Sequence, residues 1–364
     1  MQSMGCDISA AERDFVAHAV HRIEADFSRS ADTHLIKLEL PCLATAGIDL
    51  YLKDESTHPS GSLKHRLARS LFLYGLCNGW IRQGKPVVEA SSGSTAISEA
   101  YFARLIGLPF IAVAPRTLAQ AKIEAIEFLG GRVHLTDATA IYADARRIAA
   151  EAGGHYMDQF TYAERATDWR GNNNIAESLF SQMRLERYPA PSWVVVSAGT
   201  GGTSSTIGRY IRYRPGTLGN TRLCVVDPEN SVFYDHFVSR DRDLRLDCGS
   251  RIEGIGRPQV EPSFIPSVID RMIRVPDAAS IGAIHWLESV MGRKCGGSTG
   301  TNLIGALTLA GEMIARGERG SIVTLICDGG ERYLPTYYNP DWITKQGFDV
   351  ASVISRLKAF VERC

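Results

Sequence analysis

The sequence predicts an α/β protein of two domains, each built on a mostly parallel sheet flanked by helices. Three observations carry this. Short β-branched runs alternate with amphipathic stretches of helical length along most of the chain. Runs such as FIAVAP (110–115) and WVVVSAG (193–199) are apolar on both faces, as strands covered from two sides must be. The length, 364 residues, suits about two domains. The alternation pauses near 155–165, so the division is expected at 1–160 and 161–364.

The elements follow in order. Leu63, Leu67, Leu71 and Tyr74 have helical spacing, and Asn78-Gly79 is a stop signal. VVEA (87–90) reads as a strand, SGSTAISEAYFARLIG as a helix and FIAVAP as a strand. TLAQAKIEAIEFLGG (helix), RVHLT (132–136, strand) and TAIYADARRIAAEAGG (helix) continue the series. A long helical stretch through NNNIAESLFSQMRLERY leads to the buried strand at 193–199. Helix 202–213, strands LCVVD and DRMIRV, helices 277–291 and 301–316, and strand SIVTLIC complete the pattern.

Composition narrows the function. The chain is 45% apolar and 22% charged, ordinary for a globular protein. Forty basic residues balance forty acidic ones, so no nucleic-acid or polyanion partner is expected. Eight scattered cysteines without a CxxC argue against a disulfide framework or structural zinc, and for a reducing compartment. The N-terminus is too polar for a signal peptide, and LIGLPFIAVAP is too short to span a bilayer. A cytoplasmic protein is expected.

The stretch PSGSLKHR (59–66) puts Lys64 at the start of a helix, where a cation opposes the macrodipole by ~0.3–1 kcal/mol. Three other motifs mislead. GWIRQGKP (79–86) lacks the final Ser/Thr of a phosphate loop and follows a helix. SAGTGGTSS (197–205) has Ser204 where a dinucleotide fingerprint needs its third glycine. GGSTG (296–300) has the form of a nucleophile elbow, but the last histidine, His285, precedes its serine.

One physical idea unites these pieces. SAGTGGTSSTIGRYI is a glycine-rich turn between a buried strand and a helix, an anion site suited to a single phosphate. SSGSTAIS (91–98) is a second such turn, fitted to a carboxylate, and GGSTGTN (296–302) is a third. With Lys64, these describe a Schiff-base site for pyridoxal 5′-phosphate acting on an amino acid.

The chain resembles the cysteine synthase / cystathionine β-synthase family of pyridoxal-phosphate enzymes, fold type II (tryptophan synthase β-like), from about residue 30 to 342. PSGSLKHR is similar to the family's lysine motif, EASSGSTA to its carboxylate loop, SAGTGGT to its phosphate cup and GGSTG to its pyridine-nitrogen motif. QF at 159–160, VVDPENS at 225–231, RIEGIG with FIP (251–266) and CDGGERYLPTYYNPDW (327–342) add further matches. The resemblance implies that Lys64 bears the cofactor and removes the Cα proton. It assigns the phosphate to Gly199, Thr200, Gly201, Gly202 and Thr203, and the ring nitrogen to Ser298. Ser91, Ser92, Thr95 and Gln159 would hold the substrate carboxylate. Ser94 replaces the usual Asn beside the cofactor's phenolic oxygen and is shorter. His65, where the family commonly has Asp, is expected to pack or to support from behind. The segment around 36–57 is a candidate to cross to the other domain.

A neutral serine at the ring nitrogen leaves the carbanion less delocalised than an aspartate would, favouring loss of a β-substituent over transamination. The combination of KHRLARSLFLY with GGSTGTN looks most like the L-cysteine desulfhydrase branch, and implies elimination to sulfide, pyruvate and ammonia. β-Replacement, as in cysteine synthase or cystathionine β-synthase, is the alternative; a binding protein without turnover is a third. A homodimer is the family's usual state.

Overall fold

The computed structural model describes residues 9–91 and 93–363. Along the chain come α1 (Ala10–Ser28), β1 (Leu35–Leu38), α2 (Pro41–Ala46), β2 (Ile48–Asp54) and α3 (Lys64–Cys77). Next are β3 (Val87–Ala90), α4 (Ser94–Ile106), β4 (Phe110–Pro115), α5 (Gln120–Phe128), β5 (Arg132–Thr136) and α6 (Ile141–Glu151). β6 (His155–Tyr156), α7 (Gln159–Ala166), α8 (Ile175–Met183), β7 (Trp193–Ser197), α9 (Gly202–Tyr213) and α10 (Pro215–Leu218) follow. The last stretch holds β8 (Arg222–Pro228), α11 (Phe233–Ser239), β9 (Arg271–Val275) and α12 (Asp277–Met291). It ends with α13 (Gly297–Ala315), β10 (Gly320–Ile326), α14 (Pro340–Lys345) and α15 (Val350–Arg363).

These elements form two compact units. One comprises the chain up to Ala31 together with Lys64–Tyr162. Its sheet has the order β5-β4-β3-β6, all parallel. Val88 and Ala90 of β3 and Val113 of β4 pack on Ala145 and Ala149 of α6. α1 starts at Ser9 with a reciprocal cap to Glu12. Two polar ties hold it: Arg69 of α3 donates to both oxygens of Glu24 (3.0 and 2.9 Å), and the Tyr101 hydroxyl of α4 meets Asp26.

The other unit comprises Asp32–Leu63 and everything from Ala163 on. Its six strands run β1-β2-β10-β7-β8-β9, parallel except for β1, which pairs antiparallel with β2. Residues alternate between its two faces. Trp193 and Val195 join the core that contains α12 and α13, whereas Val194 and Val196 join the one that contains α8 and α9. α13 lies close against the sheet, since a Cβ at Gly305 would stand 2.3 Å from a Val226 methyl.

Two expectations shift. The helix through 172–188 shortens to α8, because Asn172 and Asn173 take left-handed φ values of 62° and 47°, and Asn174 caps the helix that follows. α13 begins at Gly297 rather than 301, which places Ser298 in its first turn. Cys42 of α2 is disulfide-bonded, a bridge that the scattered cysteine positions do not announce. Among the described residues no helix is long and apolar enough to cross a membrane.

Candidate active site

Lys64 is the first residue of α3 and half-buried. Behind it, His65 is buried with its ring centroid 4.7 Å from that of Phe102 and 5.2 Å from that of Tyr101, which supports a packing role. In the same unit, β3 ends in the turn toward α4. Ser91 accepts a hydrogen bond from the Gly93 N–H (3.4 Å), Ser94 opens the helix, and buried Thr95 sits in its first turn. The Thr95 hydroxyl donates to Gln159 Oε1 at 2.8 Å, so two of the residues expected to grip a carboxylate are joined directly. Ser92 lies outside the described residues.

Underneath this turn are two groups that the sequence does not single out. Glu89 of β3 and Glu99 of α4 are both fully buried. Glu89 Oε1 accepts from the Ala90 N–H (2.6 Å) and Oε2 from the Gln159 N–H (3.1 Å). Burial pushes the Glu89 carboxyl up to about 8, against the pull of these two donors. Glu99 is raised well above the usual carboxylate range, by burial first and then by the charge of Glu89. A pattern of alternating polarity in SEAYFARL gives no sign that Glu99 faces inward.

In the other unit, the turn from β7 to α9 is built of backbone. Gly201 has φ +90°, and a Cβ there would lie 2.5 Å from Ser263 O and from Phe264 Cα. A Cβ at Gly199 would lie 2.1 Å from Gly254 O, and one at Gly202 would lie 3.0 Å from Ala163 Cβ. The N-cap residue of α9, Gly201, has no side chain to cap it. The helix's buried hydroxyls turn to carbonyls instead, Ser204 to Gly201 O, Ser205 to Ser263 O and Thr206 to Gly202 O. The first-turn N–H groups are thus not consumed by them. The buried Thr200 hydroxyl accepts from the Gly202 N–H (3.2 Å) and keeps its own proton to donate, and Thr203 is half-buried at the helix start. A glycine cradle with outward N–H groups and two hydroxyls fits a phosphate monoester.

The first turn of α13 is similarly prepared. Thr299 Oγ1 accepts from the Cys327 N–H, Thr301 pairs with Ser280, and Asn302 donates to Leu325 O. Buried Ser298 stands in the same turn. The RIEGIG and TYY segments meet here too: the Tyr337 hydroxyl donates to Arg251 O and accepts from the Glu253 N–H. The residues that precede Lys64 in the chain also belong to this unit. Ser62 bridges to Asp328, the Leu63 N–H donates to Cys327 O (2.8 Å), and Arg332 donates to Ser60 O (2.8 Å). Asp328 is held by the Tyr333 hydroxyl (2.7 Å).

The chain has a two-unit α/β fold in which Lys64 opens α3 and glycine-containing turns lead into α4 and α9. The pyridoxal-phosphate dependent enzyme family matches residues 31–328, and the chain belongs to that family. It is 58% identical over 360 residues to L-cysteine desulfhydrase Cds1 of Mycobacterium tuberculosis, covering 98% of this chain and 97% of that one. It is 26% identical over 338 residues to a cysteine synthase of Dictyostelium discoideum, covering 88% and 86%. The crystal structure of O-ureido-L-serine synthase shares the fold, with a TM-score of 0.72 at 24% identity, over 84% of this chain and 91% of that one. The cofactor is pyridoxal 5′-phosphate.

Proposed function

We propose that the protein is a carbon–sulfur lyase that eliminates hydrogen sulfide from L-cysteine, leaving pyruvate and ammonia. The observation that carries this is the 58% identity, end to end, with a cysteine desulfhydrase. When bound, the cofactor supplies the aldehyde that captures the substrate amine and the ring that draws electrons from Cα. The chain's own residues do the rest. Gly199, Thr200, Gly201, Gly202 and Thr203 hold the phosphate, and Ser298 meets the ring nitrogen with a neutral hydroxyl. Ser91, Thr95 and Gln159 grip the substrate carboxylate and so aim the Cα–H bond. Lys64 would hold the cofactor and serve as the base toward the Cα proton. Ser94 would lie on the side of the cofactor's phenolic oxygen.

The net reaction consumes one water per cysteine and yields one hydrogen sulfide, one pyruvate and one ammonia. A cytoplasmic homodimer belongs to the same reading, supported by the family resemblance. The test is to incubate the purified holoenzyme with L-cysteine and measure sulfide and pyruvate together. Equimolar release of both is expected. Negligible pyruvate, with cysteine formed instead from sulfide and O-acetylserine, would make it a replacement enzyme.

A further inference from the structure

We propose that Glu99 is a positioning residue for the substrate: its carboxyl group donates to Glu89, and Glu89 fixes Gln159 and, through it, Thr95. The proposal rests on the reading that Thr95 and Gln159 hold the substrate carboxylate.

The geometry assigns the donor. Both Glu89 oxygens face N–H groups, at 2.6 Å from Ala90 N and 3.1 Å from Gln159 N, so Glu89 is an acceptor on both sides. Glu99 is fully buried, and taken as a carboxylate neither of its oxygens has a donor among the described residues. Two buried carboxylates side by side would repel without compensation. A proton on Glu99 resolves both problems, because the contact then becomes an O–H donated to Glu89. The raised proton affinity of both groups, from burial first in each case, agrees with this. The other groups around the pair favour a proton on it without choosing between the two carboxyls. Asp158, just ahead of α7, adds negative charge, and the buried Tyr156 hydroxyl of β6 lies within its field. Arg146 of α6 acts on Tyr156.

The consequence is a relay of fixed bonds running from α4 through β3 to α7 and back to α4. Glu99 steadies Glu89, Glu89 holds the Gln159 backbone, and the Gln159 side chain receives Thr95. Without a donor at position 99, Glu89 must take up the proton itself. One of its oxygens then becomes a donor facing an N–H group, and Gln159 loses its anchor.

Three holoenzyme variants test this through sulfide release from L-cysteine and calorimetric binding of L-cysteine and its methyl ester. Glu99→Leu removes the donor and is expected to raise KM about tenfold or more, with kcat changed less than about threefold. Glu99→Gln keeps an N–H donor and should restore KM. Glu89→Gln, equally conservative in shape, turns an amide donor toward an N–H and should raise KM as Glu99→Leu does. In the impaired variants the preference for acid over ester should shrink, while the absorption band of the bound cofactor persists. Equal KM values in all three variants and wild type, or Glu99→Gln as impaired as Glu99→Leu, would overturn the proposal. Should wild type release no sulfide at all, the lyase reading fails, and the acid-against-ester binding ratio still decides the role of Glu99.

Discussion

Three glycines around the phosphate cradle separate two costs that a methyl group can incur. Gly254 has φ +84° with open space where its Cβ would go, so Gly254→Ala incurs conformational strain alone. Gly199 has no left-handed φ, but its Cβ would lie 2.1 Å from Gly254 O, so Gly199→Ala incurs a collision with backbone alone. Gly201 combines φ +90° with a Cβ 2.5 Å from Ser263 O and Phe264 Cα. A left-handed alanine costs ~1–2 kcal/mol, and forcing a methyl into packed backbone costs ~1–3 kcal/mol. Gly201→Ala should therefore cost about 2–5 kcal/mol, the sum of both. Relief comes most readily by moving the turn, so the loss should fall on phosphate binding. At ~1.4 kcal/mol per decade this is about thirtyfold to several thousandfold in cofactor affinity. The assay is equilibrium dialysis of each apoprotein against graded pyridoxal 5′-phosphate, with thermal midpoints recorded alongside. The expected order of affinity loss is Gly254→Ala, then Gly199→Ala, then Gly201→Ala. A Gly201→Ala protein with wild-type affinity and midpoint would refute the cradle.

Lys64→Ala should fold, keep part of its cofactor through the cradle, lose the wild-type absorption band and release sulfide slower by several orders of magnitude; near-normal turnover would displace Lys64 from its role. Ser298→Ala loses one neutral hydrogen bond of ~0.5–1.5 kcal/mol, so turnover should fall only about two- to tenfold, and a serine-directed phosphonate should not label the wild type. Burial raises both carboxyls of the Glu89–Glu99 pair, and in the proposed arrangement the proton they keep sits on Glu99. Its contribution is fully present below the ordinary glutamate value of about 4.5 and is lost as pH climbs through the raised folded range. Glu99→Gln has no such proton to lose, so its thermal midpoint should fall less than wild type between pH 5 and 8.5; parallel curves would mean that the pair holds no proton.

Much of this was legible in the residues themselves. The strands at 87–90, 110–115 and 132–136, and the helices at 202–213 and 277–291, stand where hydrophobic periodicity puts them. They are locally determined, each apolar run being closed by glycine or a turn. The places of the glycine-rich turns between strand and helix were legible for the same reason. What escaped depends on distant partners. β1 and β2 precede the lysine and look unremarkable until β10 supplies their neighbour. The two-residue β6 is too short to carry a periodicity, yet its register beside β3 brings Gln159 up to Glu89. Glu99 could not be distinguished from an exposed helical glutamate, because its burial is decided by β3 and the other elements packed on α4 rather than by its own segment. The Asn172–Asn173 pair carried a legible signal, since asparagine tolerates the left-handed region, but the apolar residues after it suggested a longer helix.

The pairing of β2 with β10 has a consequence for how the molecule is made. Ile48 to Asp54 emerge from the ribosome well before their parallel neighbours Gly320 to Ile326. Between the two events, the whole of Lys64–Tyr162 can collapse as a body with local contacts of its own. The early β1–β2 hairpin meanwhile carries an unpaired edge and apolar side chains destined for the core. Closure of the larger sheet is therefore a late, long-range step, of the slow kind that exposes nascent chains to aggregation. A ribosome stalled between Tyr162 and Gly320 would hold a finished lysine-bearing unit joined to an unfinished sheet. Such a chain would bring Lys64 without the strand beside which the residues just ahead of it are anchored, and would be a substrate for holding chaperones rather than for cofactor.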